Sequence, residues 1–262
     1  MTWHAATESF DGATTSGLYS QLAGVLAGIA FAALLLYVTR ASKEVRDAGD
    51  QVVIANLTAA VAALILCAAS YAVLAGAPNS IGSASLATII YGLPFGMSVL
   101  LLFYALAIIF RQRPALRIIS RISMYVVAAG GPVWVFCYVT MAAMTAVSLR
   151  CGPGCEDRPP LVTPVVVGLA LIAVLVVGSF ASIRVRRFGP TILGAEVSPM
   201  LPAVIVLLAT FAAGASSLAF PLLGVDYQPS DTLLTLLLSV DFIALLIFFP
   251  QRIKLATRPS GE

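Results

Sequence analysis

One histidine, two lysines and very few charges of any kind limit what this sequence can do. His4 precedes the first apolar run. Bis-histidine haem ligation, histidine-based zinc hydrolysis and serine–histidine catalysis therefore lack a ligand or base among the apolar segments. Lys43 and Lys254 both lie outside those segments, which excludes a retinal Schiff base, since that linkage needs a lysine within a span. A pair of aspartates sharing a proton is also excluded, because the apolar runs contain a single acid, Asp241. No phosphate-binding loop, dinucleotide fingerprint or basic nucleic-acid module is present. No catalytic residue, cofactor, metal or nucleic-acid partner is expected, and the chain reads as a non-enzyme.

Charged residues make up 10% of the 262 positions, hydrophobic residues 60%, and the mean hydropathy is +1.00. A water-soluble fold needs more surface charge than this to stay dispersed. The apolar residues also fall in runs of about 20, the length that crosses a hydrocarbon core of roughly 30 Å. Seven such runs can be marked: Gly17–Tyr37, Val52–Ala75, Ser85–Phe110, Ile122–Leu149, Leu161–Ile183, Pro199–Pro221 and Leu233–Phe249. Backbone amides left unpaired in lipid are costly, so runs this long are expected to be helices. The expected fold class is an all-α membrane protein, a seven-transmembrane-helix bundle forming one integral membrane domain over residues 1–262. The lipid bilayer is its first partner.

Positive charge gives the orientation, because short cytoplasmic loops collect Lys and Arg. Arg40, Lys43 and Arg46 follow the first run; Arg111, Arg113, Arg117 and Arg121 follow the third. Arg184, Arg186 and Arg187 follow the fifth, and Arg252, Lys254 and Arg258 follow the seventh. The alternate loops hold only Arg150 and Arg158. This strict alternation predicts an external N-terminus and a cytoplasmic C-terminus. Residues 1–16 contain no Lys or Arg and carry Glu8 and Asp11, so a cleaved signal peptide is not expected. The preference for Arg over Lys, with abundant Ala, Val, Leu and Gly, suggests a GC-rich bacterial source and hence the cell membrane. No internal repeat aligns the runs of like orientation.

Asp241 is the sharpest chemical feature. An aspartate at the centre of a membrane helix costs roughly 2.5–3.5 kcal/mol on insertion scales, and such residues often mark ion, proton or substrate paths. The competing reading is an uncharged carboxyl that hydrogen-bonds a neighbouring helix and fixes packing. Depth along the spans makes Gly130, Gly131 and Pro132 its candidate neighbours, with Asn56 nearer the cytoplasmic end. Pro132 has no N–H and frees the carbonyl of Ala128, while the two glycines permit close approach. A purely structural kink explains the same motif. Gly92-Leu93-Pro94-Phe95-Gly96 in the third run offers the same pair of readings, an unwound segment or a simple kink.

Ser20, Gly24, Gly28 and Ala32 recur every four residues and share one face of the first helix. Packing within the bundle is one use for that face; contact with a second copy or another membrane subunit is the other. Cys151 and Cys155 flank Gly152-Pro153-Gly154 and are candidates for a small external disulfide. Cys67 and Cys137 read as small apolar side chains. Arg113, Arg117 and Arg121 form a basic stripe after Pro114, suited either to anionic headgroups or to ordinary retention of cytoplasmic charge.

Three function classes remain. The first is a handler of small solutes, protons or ions through Asp241. The second is an accessory subunit bound through small-residue faces, and the third is a receptor-like sensor. Short cytoplasmic loops make the sensor the weakest.

Overall fold

Proline marks where several helices begin. Pro164 and Pro202 are each the second residue of a helix, where the missing N–H has no intrahelical partner to lose. The computed structural model describes residues 12–41, 48–76, 81–111, 114–151, 163–185, 200–217 and 227–248. Among these residues there is no strand, and eight α-helices are found: α1 (Gly12–Ala41), α2 (Ala48–Gly76), α3 (Ile81–Arg111), α4 (Arg117–Tyr125), α5 (Gly131–Cys151), α6 (Thr163–Val185), α7 (Leu201–Ser217) and α8 (Asp231–Phe248). At the start of α8 the Ser230 hydroxyl accepts from the Leu233 N–H at 3.2 Å, and Asp231 occupies the first turn, where negative charge suits the helix dipole.

Within the described residues, α1, α2 and α3 contain stretches long and apolar enough to cross a membrane: Thr14–Thr39, Asp50–Gly76 and Ala84–Phe110. Gly131–Val147, Thr163–Gly178 and Leu201–Ser217 are shorter apolar helical stretches. The surface has the polarity expected in lipid. Leu36, Trp134, Val177, Met141 and Phe211 are exposed, whereas Asn56, Ser98, Thr140, Thr210 and Asp241 are buried. Apolar groups outside and polar groups inside reverse the usual arrangement in water.

The fourth apolar run departs from a single helix. α4 ends at Tyr125, a π-helical turn spans Val126–Gly130, and α5 begins at Gly131. The wider turn lies directly before Pro132, where the regular ladder loses a donor. By contrast, α3 passes through Pro94 as one helix, so this Gly/Pro cluster does not unwind it. The Ser98 hydroxyl donates to the Pro94 carbonyl at 2.6 Å, one turn back.

The core is formed mainly where α3 and α5 approach closely. A Cβ placed on Gly96 would lie 2.5 Å from Val135 Cγ2, and one on Gly92 would lie 2.8 Å from Tyr138 Cε1. Only glycine allows backbones this near at those positions. Met97, Leu101, Phe136 and Val139 fill the same cluster, joined by Val206 of α7 and Leu234, Leu238 and Leu245 of α8. α1 packs chiefly on α2. Ser20 donates to the Ala68 carbonyl at 2.9 Å, and the Tyr37 hydroxyl donates to Asp50 Oδ1 at 2.5 Å at the other end.

The small-residue face of α1 is divided. Ser20 meets α2, but Gly24, Gly28 and Ala32 are exposed, and no atom lies within 4 Å of a Cβ built on either glycine. Ala23, Ala27 and Ala30 form the buried side of α1 instead. The Cys155 thiol lies outside the described residues, as does most of the segment carrying the proposed disulfide. Cys67 is buried and Cys137 half-buried.

Candidate functional site

Most polar side chains in the bundle satisfy themselves locally. Thr88, Ser98, Thr140, Thr210, Thr235 and Ser239 each donate a hydroxyl proton to the carbonyl four residues earlier. This is how a short hydroxyl is carried among apolar neighbours without a tertiary partner. Carboxylate, amide and phenol groups have no equally complete local solution.

Asp241 is 5% exposed, and its Oδ2 atom is buried without a hydrogen-bond partner. It follows the buried Leu234 and Leu238 on α8 and precedes Leu245, so helical periodicity turns it inward with them. The neighbouring Phe242 meets Phe136 of α5 edge-to-face, with ring centroids 5.7 Å apart. Ten residues separate Asp241 from the start of α8, about 15 Å along the axis. A carboxylate so placed requires a proton or a cation beside it, because an unpaired charge in apolar surroundings is very costly.

The proposed neighbours have different surroundings. Pro132 is buried one turn before Phe136 on α5, which puts it near the level of the Phe136–Phe242 contact. Gly131 faces α3: a Cβ there would lie 2.1 Å from Leu100 Cδ2 and 2.8 Å from the Val126 carbonyl oxygen. Gly130 is exposed, with nothing within 4 Å of its Cβ position. Asn56 is fully buried on α2; its Nδ2 donates to the Val52 carbonyl at 2.8 Å, while Oδ1 has no partner. α2 packs extensively against α1, α3 and α7, whereas α8 packs against α3, α5, α6 and α7. Asn56 and Asp241 are thus on helices with no extended common interface, and they do not form one hydrogen-bonded site.

A second polar cluster was not anticipated. Tyr19 of α1, Tyr71 of α2, Tyr91 and Phe95 of α3, and Tyr138 of α5 converge toward one end of the bundle. Tyr19 stacks on Tyr71 with centroids 5.4 Å apart and meets Tyr138 edge-on at 5.6 Å. Tyr91 meets Tyr71 edge-on at 5.5 Å. The hydroxyls of Tyr19, Tyr71 and Tyr138 are near one another, yet those of Tyr71 and Tyr138 lack a partner at hydrogen-bonding geometry. Gly92 creates the room for Tyr138. Depth along the spans is the signal that finds them: Tyr19, Tyr71 and Tyr91 fall toward the same end of their apolar runs, and Tyr138 lies just past the middle of its own on that side.

No protein-family model matches the sequence, and neither the curated proteins nor the solved structures contain a match. No group of three or more His, Cys, Asp or Glu side chains among the described residues is arranged to hold a metal ion.

Proposed function

We propose that this chain is a seven-span integral membrane protein, N-terminus outside and C-terminus inside, that handles protons or a small cation through Asp241. The supporting observation is the buried Asp241 Oδ2 atom, without a hydrogen-bond partner among leucine and phenylalanine side chains. A group in that position alternates between proton-bound and cation-bound or briefly ionised states, the property needed to carry charge across apolar surroundings. The alternation of basic loops supports the seven-span orientation, and the outward apolar side chains support lipid contact.

Purified protein in proteoliposomes tests this reading under an imposed membrane potential. Proton uptake through the wild type is expected, with Asp241→Asn reducing it at least tenfold while the protein remains folded. Equal uptake by both proteins would sink the proposal.

An accessory-subunit role is the second reading, and one observation favours it. Gly24 and Gly28 point away from the bundle with open space around them, although their four-residue spacing suits close helix contact. In that case Gly24→Leu and Gly28→Leu release a co-purifying membrane partner, whereas Asp241→Asn is nearly silent.

A further inference from the structure

Resting on the proposed role of Asp241, we infer that its ligand is a proton and not a metal cation. The two ligands ask different things of a buried carboxylate. A proton needs one lone pair, and the O–H bond that forms removes the charge. A metal cation leaves both charges in place and needs several more oxygens to replace its water. Calcium takes about six to eight oxygen ligands and magnesium an octahedral shell, and potassium filters encircle the ion with backbone carbonyls. A single aspartate supplies only its own carboxylate oxygens.

The surroundings of Asp241 meet the first requirement and not the second. Among the described residues no charged or hydrogen-bonding group acts on its carboxyl, and Oδ2 is buried without a partner. Leu234, Leu238 and Leu245 share its side of α8 and are fully buried, with Phe242 beside them against Phe136. Ser239 and Thr235 carry the nearest hydroxyls along α8. At about 100° per residue they stand roughly 160° and 120° around the helix from Asp241. Each donates to a carbonyl of its own helix.

The helices packed on α8 add little. These are α3, α5, α6 and α7, and their buried hydroxyls Ser98, Thr140 and Thr210 donate to carbonyls of their own helices. Thr140 is turned to α6, its Cγ2 only 2.5 Å from a Cβ built on Gly168. The π-helical turn Val126–Gly130, where Pro132 leaves a carbonyl without its usual donor, has no extended contact with α8. The unpartnered Asn56 Oδ1, a suitable cation ligand, is on α2, which has no extended interface with α8 either. A metal at Asp241 would therefore leave two charges short of oxygen in apolar surroundings. The protonated acid leaves only hydrogen bonding unmet, a far smaller cost.

Proteoliposomes holding the full chain separate the two ligands. Uptake of protons, of radioactive sodium and of radioactive rubidium (standing in for potassium) is measured for the wild type and Asp241→Asn. Proton uptake alone is expected to depend on Asp241, falling at least tenfold in the variant, while sodium and rubidium uptake stay the same in both proteins. Sodium or rubidium uptake that falls with the substitution overturns the proton assignment and leaves Asp241 as the site. Indifference of all three fluxes to the substitution brings down both readings. A measurement on the wild type alone guards against a variant that fails to fold. Replacing choline by sodium or calcium outside the vesicles is expected to slow proton uptake by no more than twofold. A larger slowing by either metal marks competition for the carboxylate and overturns the assignment.

Discussion

Two helices of the bundle carry a glycine pair at four-residue spacing, and the pairs have opposite fates. On α3, Gly92 and Gly96 bring Tyr138 and Val135 of α5 so close that a methyl group could not fit. On α1, Gly24 and Gly28 face open space. The helices are similarly apolar, yet 17% of the most apolar stretch of α1 is buried against 50% for α3. Spacing therefore identifies a smooth helix face but not whether anything covers it. The α3 pair serves the fold, and the α1 pair is left uncovered by the described residues.

The strongest way to break this comparison is Gly96→Ala. Val135 is β-branched and stiff in a helix, so it cannot turn away from the new methyl group. A loss of about 1–3 kcal/mol is expected from overpacking, read as a lower unfolding midpoint in detergent. Gly131→Ala should act in the same direction, because its methyl would meet the Val126 carbonyl as well as Leu100. An unchanged midpoint in both would mean that the α3–α5 approach is looser than described.

Gly24→Ala and Gly28→Ala sharpen the contrast by reversing its sign. Each removes a glycine from a helix interior at a site with open space, and a gain of roughly 0.5–1 kcal/mol is expected. If both instead destabilise the isolated protein, α1 has a covering contact within the bundle. A smaller effect is expected from Ser20→Ala, which removes the hydrogen bond from the Ser20 hydroxyl to the Ala68 carbonyl of α2. Membrane helix hydrogen bonds average about 0.6 kcal/mol, so only a slight drop in the midpoint should be seen. A shift several times larger would assign Ser20 a greater part in holding α1.

The candidate site was partly legible from the chain. Asp241 is identifiable because it is the single acid within the apolar runs, and acids within membrane helices usually face the bundle interior. Depth also put Pro132 near its level. Depth says less for Asn56, because residues at related heights can belong to helices, here α2 and α8, that share no extended interface. Unlike Asp241, the tyrosines carry no such signal, because each, taken singly, is an ordinary residue in a membrane span. Their hydroxyls matter only once four helices bring them together.

Hydropathy, helical period and the absence of buried counter-charges are properties of the chain as written. From them alone come the all-helical character, the places where helices run, and the singularity of Asp241, because unpaired backbone amides and lone charges are costly in apolar surroundings whatever the neighbours are. Tertiary structure decided which glycine pair is covered, which tyrosines share a cluster, and how the chain relaxes before Pro132. Those outcomes depend on which faces meet, and a one-dimensional pattern can describe a face without naming what lies opposite.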